Sequence, residues 1–184
     1  TWSALIVLHV VAPGAVGLDT FGYGLIVAAM AVGGVAGSLA AERLRRRIGP
    51  RAVLALDLAA TAAFVGVPGL TASPWAIGAA AAAGGFGAGV WLVIVGALRQ
   101  RRTPDAVLGR VYSASRLISW GVLPISAAAA GIAAGIVGVQ TVFAVGGVVS
   151  LLTLGAFLVA IRPSDLAASP ADREITPAAA LDAA

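Results

Sequence analysis

Apolar residues run along this chain in long unbroken blocks, separated by short connections rich in arginine or holding only a few Gly, Pro, Ser or Thr residues. Residues 21–41 carry no charge, 52–70 only Asp57, 75–98 none, 111–136 only Arg116, and 139–161 none. Each block is near or above the roughly 18 residues read as a membrane-spanning helix. None alternates with period two, so these are not barrel strands, and a helix satisfies its own backbone hydrogen bonds in lipid.

Ahead of them, residues 2–11 offer about half of the 20 or so apolar residues that a span needs. The stretch has no positive flank, and Pro13-Gly14 follows without a small-residue cleavage pattern, so it is not a signal peptide. It reads as a partial span whose beginning lies upstream. The predicted fold class is all-α, a polytopic membrane helix bundle of six spans with the first truncated. Residues 1–161 form the transmembrane domain. Residues 162–184, which gather Pro, Ala and four of the acids without apolar periodicity, are expected to be a disordered cytoplasmic tail.

Composition sharpens this picture. Of 184 residues, 60% are hydrophobic and 11% are charged, and mean hydropathy is +1.00. Soluble domains carry about a quarter charged residues, which argues against a water-soluble globular enzyme. All 12 basic residues are Arg, and the net charge is +4. They lie in short runs between apolar blocks instead of covering one face, which argues against nucleic acid as a partner. With no Cys, disulfides, thiolate metal sites and Cys nucleophiles are absent.

The arginines also orient the chain. Arg43, Arg45, Arg46, Arg47 and Arg51 separate the first two full blocks; Arg99, Arg101, Arg102 and Arg110 separate the third and fourth; Arg162 follows the last. The connections 71–74 and 137–138 are uncharged. The positive-inside rule places the Arg-rich loops and the C-terminus in the cytoplasm, and the expected location is an inner membrane, multi-pass. Gly33/Gly37, Gly85/Gly89 and Gly131/Gly135 repeat at the four-residue spacing that lets helices approach closely in lipid. Pro124 falls mid-span, where it removes a backbone bond.

Ionisable groups inside spans are functional candidates. Asp57 and Arg116 each lie five residues into a block, about 7.5 Å from its inner end at 1.5 Å per residue. At that depth Asp57 is expected to pair with the cytoplasmic arginines or with Arg116, as an ion pair or conformational latch; a proton-coupling role is the alternative. Arg116 is expected to extend to the inner headgroups, with anionic substrate as its other ligand. His9 is expected to bond a neighbouring helix near the outer end. Trp75 stands at an outer span end, where aromatic anchors collect, whereas Trp91 and Trp120 are deeper. No catalytic constellation, metal-ligand cluster or phosphate-binding loop can be assembled, so no enzyme activity, metal or cofactor is expected.

Three stretches carry a family resemblance. Residues 17–25, GLDTFGYGL, are similar to an outer loop entering the eighth helix of a major facilitator superfamily transporter. Gly33-Gly34 through Gly37, then Glu42-Arg43-Leu44-Arg45-Arg46-Arg47-Ile48-Gly49, resembles the second-half copy of that family's cytoplasmic loop signature; Ala41 stands where the signature has its acid, and Glu42 follows. Arg99 to Pro104 through Leu108-Gly109-Arg110-Val111-Tyr112-Ser113, then Gly121 and Pro124, resembles the connection between its tenth and eleventh helices. The likeness is to the enterobactin-exporter-like and macrolide-efflux-like branch, and it covers the chain except the tail.

The resemblance implies the C-terminal six-helix half of an exporter of small organic molecules, drug or siderophore in type, working by alternating access. Its implied partners are the lipid bilayer, the missing N-terminal six-helix half and a small-molecule substrate. Tyr23, Trp91, Ser119 and Trp120 are the implied pathway candidates. Glu42, Arg43, Arg46 and Arg47, with Asp57 and Arg116, are the implied cytoplasmic latch. The rival expectation is a truncated, non-transporting remnant, or a structural subunit pairing with another half.

Overall fold

The computed structural model describes residues 2–11, 13–102 and 105–161. The expected tail lies outside them. The described residues are helical almost throughout: α1 Trp2–Val10, α2 Thr20–Leu70, α3 Pro74–Arg102, α4 Asp105–Val137 and α5 Val139–Ala160. Four helices are long and apolar enough to cross a membrane, over Thr20–Leu70, Pro74–Ala97, Ser115–Val137 and Val139–Ala160. The all-α expectation holds.

At 51 residues, α2 would extend about 76 Å if straight, more than twice the hydrocarbon thickness. It does not run straight. Gly49 takes φ 79°, ψ 161°, a backbone conformation open to glycine, and Pro50 then starts a new helix with its ring already set for a first-turn position. The contacts of the two arms, 20–48 and 50–70, show that the chain reverses here. Gly33 faces Ala82 and Gly37 faces Phe86, so the first arm and α3 run parallel. Phe64 faces Gly84 and Asp57 faces Gly87, so the second arm and α3 run antiparallel. The expected blocks 21–41 and 52–70 therefore lie on two arms that run in opposite directions.

The first arm and α3 interlock through their backbones. A Cβ on Gly33 or Gly37 would meet the Ala82 or Phe86 carbonyl, and a Cβ on Gly85 or Gly89 would meet the Met30 or Gly34 carbonyl. Each helix thus places two carbonyl oxygens against the bare Cα positions of the other, the close approach that small residues permit in lipid. The second arm meets α5 in the same manner: a Cβ on Gly66 would lie 3.2 Å from the Gly147 Cα. Gly131 and Gly135, the third expected pair, have nothing within 4 Å.

Two hydrophobic clusters tie the bundle. One joins Leu5, Ile6 and Val10 of α1 to Ile26, Ile77, Ala81, Ala130 and Phe143, so all five helices meet at the end opposite the arginines. The second, at the Arg-bearing end, holds only Ala41, Val53, Val90 and Ile94. α4 packs on α5 and α1, and most of its described side chains are exposed. Its N-terminus starts six residues before the expected block, because helix formation continues through the polar residues ahead of the apolar stretch.

Candidate functional site

Polar groups collect at two places: the Arg-bearing turn of α2 and one face of α4. At the turn, Glu42 is claimed by its own helix. Its Oε1 and Oε2 accept from Arg45 Nη2 at 2.7 Å and Nε at 2.8 Å, and Oε1 also accepts from Arg46 Nε at 2.7 Å. These i,i+3 and i,i+4 partners sit one turn beyond the acid, where helical spacing brings them back to its face. The two guanidinium groups hold the Glu42 carboxyl down at about 2, well below the usual carboxylate range. Glu42 lies past the apolar stretch of the first arm, in the connection.

A depressed carboxylate contributes stability that is present above its unfolded value near 4.5 and lost as pH falls toward about 2. Because the group is fully exposed, we expect a small acid-side loss, removed by Glu42→Gln. Comparing thermal midpoints in detergent micelles between pH 6 and pH 2.5 for both forms checks this. Equal acid sensitivity in the two would place the titrating group elsewhere.

Arg43 and Arg47 are exposed and have no acid partner among the described residues. Arg51 turns away from the cluster and donates from Nη2 to the Leu158 carbonyl, near the C-terminal end of α5. A cation there answers carbonyls that the helix leaves unpaired and complements its dipole. Arg51→Ala should cost about 1–2 kcal/mol of stability in detergent, with Arg51→Lys in between. A shift below about 0.3 kcal/mol would mean that solvent replaces the bond.

The expected pairing of Asp57 with the arginines or Arg116 is not found among the described residues. Asp57 is half-buried in the seam between the second arm and α3, its Oδ1 only 2.6 Å from where a Gly87 Cβ would stand. Depth along the helix suits the arginines, but azimuth points the carboxylate at α3. Arg116 sits on α4, away from α2, with its guanidinium 5.2 Å from the Trp120 ring centroid, a cation–π contact.

The other expected site residues are dispersed. Tyr23 packs against the five-helix cluster, and Trp91 is exposed on α3. Trp120 is exposed on α4, and the Ser119 side chain lies outside the described set. His9 is buried at 2% exposure, edge-on to Phe143 with ring centroids 5.8 Å apart, and its Nε2 has no hydrogen-bond partner. The ring is instead hydrogen-bonded to the backbone of Thr71 at the outer end of the second arm, so the expected bond to a neighbouring helix is made, though not at Nε2. Trp75, as expected of an anchor, is exposed at the start of α3.

The single-residue reading of the sequence overlooked a face of α4. Tyr112, Arg116 and Trp120 repeat at four-residue spacing and all are exposed. The i,i+4 periodicity was the signal. Among the described residues no group of three His, Asp or Glu side chains is placed to hold a metal ion. No family model, curated protein or solved structure matches the chain.

Proposed function

We propose that this chain is one six-helix half of a secondary transporter of the major facilitator kind, exporting small organic molecules across a cell membrane by alternating access. The observation that carries the reading is the exposed polar face of α4. Lipid offers little to a guanidinium and an indole N–H along a helix otherwise suited to hydrocarbon, and such groups in spans face a bundle interior or a water-filled cavity. Here that interior would be supplied by the other half.

The pattern of helix contacts supports the same reading. Taking α1 with the two arms of α2 as one unit, and α3, α4 and α5 as a second, the units begin in opposite directions. The first arm against α3 corresponds to α4 against α1, the second arm against α3 corresponds to α5 against α1, and the second arm against α5 corresponds to itself. A three-plus-three inverted repeat has this correspondence. Arg-rich connections on the cytoplasmic side complete the proposal, with Arg43 and Arg47 left to meet the other half after Glu42 is engaged.

The test restores the coding sequence upstream of Thr1 and measures proton-gradient-driven flux of a panel of hydrophobic drugs and siderophores in vesicles. Flux is expected for the restored protein and absent for residues 1–184. Arg116→Gln and Trp120→Ala should each lower flux at least about tenfold while assembly persists. A stop codon just upstream, or no flux from an assembled protein across the panel, overturns the proposal.

A further inference from the structure

The first arm of α2 carries an exposed stripe that belongs neither to the α3 seam nor to the α4 face. Leu25, Val32, Val35 and Leu39 are all exposed, Leu39 by 81%, and Arg43 and Arg47 continue the same side of the helix. At 100° per residue these positions fall within about a third of the circumference. Beside the stripe, a shallow groove of about 570 Å³ runs between the first arm and α3. Val35 and Leu39 form one rim, Leu92 and Ala88 the other, and Phe64 reaches it from the second arm. The groove is overwhelmingly apolar.

From Met30 to Leu39 the groove is about 13.5 Å long, a little under half of the roughly 30 Å hydrocarbon thickness. One turn beyond its end stands Arg43, followed by Arg47 a turn later. We propose that this surface binds one anionic phospholipid of the leaflet next to the arginines, its acyl chain in the groove and its phosphate on Arg43 and Arg47. The proposal rests on the membrane reading above.

Length, polarity and charge each match that occupant. The groove holds nearly one leaflet's depth of hydrocarbon, and the cations begin where the hydrocarbon would end. Arg45 and Arg46 are engaged with Glu42, and Arg51 with Leu158, so Arg43 and Arg47 are the guanidinium groups of this turn with no partner among the described residues. Planar guanidinium forks bind phosphate oxygens well. A partner helix is the weaker fit. Helices associate in lipid through small-residue notches, and the glycines Gly33, Gly37, Gly85 and Gly89 beside this surface are already closed against each other's helix.

The experiment reconstitutes residues 1–184 in phosphatidylcholine vesicles and adds spin-labelled phosphatidylglycerol or spin-labelled phosphatidylcholine. The motionally restricted fraction of each gives their relative association. Phosphatidylglycerol should be preferred by about three- to tenfold at low salt. Arg43→Gln with Arg47→Gln should bring the preference to within about twofold. Arg110→Gln with Arg116→Gln should leave it, and Ala88→Phe, which fills the groove, should lower the phosphatidylglycerol fraction. Equal association of both lipids, or equal loss from the two arginine pairs, overturns the site and leaves the membrane reading standing. No restricted component from either lipid would sink the membrane reading itself.

Discussion

Gly37→Leu should lower the stability of the chain in detergent by about 3 kcal/mol or more, while Gly131→Leu, the same exchange in the same kind of four-residue repeat, should change it by less than about 1 kcal/mol. At Gly37 the new Cβ would be driven into the Phe86 carbonyl, which belongs to helix backbone and cannot rotate aside. The two helices would have to separate along their whole seam. That would also free the Gly33, Gly85 and Gly89 contacts, because all four glycines share one interlock. At Gly131 nothing stands within 4 Å, so a side chain enters open apolar surroundings, and the gain in helix propensity of about 0.8 kcal/mol favours the variant. Unfolding midpoints in a denaturant titration of micelle-bound protein distinguish the two. Similar losses at both positions would show that the parallel seam is not where the bundle is held, and small changes at both would show that it yields freely.

That contrast marks where the sequence is readable and where it is not. Spans are legible because hydrocarbon thickness sets a length, and an apolar run either reaches it or does not. The reversal at Gly49 is legible too, since a Gly-Pro pair among arginines cannot lie inside a continuous span. The three glycine repeats look alike in sequence, yet two interlock and the third is open, because only the position of a partner decides which face is used. The α2 seam pairs residues about fifty positions apart, and no local pattern encodes that register. Site residues suffered likewise. Sequence gives the depth of a side chain through its distance from a span end, but not its azimuth once helices have packed. Asp57 and Arg116 share a depth, yet one faces α3 and the other lies on α4. The face made by Tyr112, Arg116 and Trp120 needed only helical periodicity, and was obscured by weighing residues singly.

Asp57→Asn should raise stability by about 1–3 kcal/mol, the opposite of what deleting a buried ion-pair partner does. The carboxylate is half-buried in a helix suited to hydrocarbon and has no ion pair or hydrogen bond among the described residues, so its charge is carried at a cost and nothing nearby offsets it. Asparagine keeps the shape and removes the charge. The position of the side chain can be tested independently through Gly87. A methyl group there would press on Asp57 Oδ1, the end of a side chain that can turn aside, so Gly87→Ala should destabilise by only about 1 kcal/mol. With Asp57→Ala already in place, part of that loss should disappear, giving a coupling of about 0.5 kcal/mol or more in a double-mutant cycle. Additive effects would move the carboxylate away from α3. Destabilisation by Asp57→Asn would instead reveal a partner for the charge, and the arginines of the α2 turn would again be the first to examine. If the asparagine variant is the more stable protein, the charge costs stability here with no packing return. On the transporter reading proposed above, flux by the chain joined to its other half should then fall even as the unfolding midpoint rises, a trade-off that packing alone does not produce.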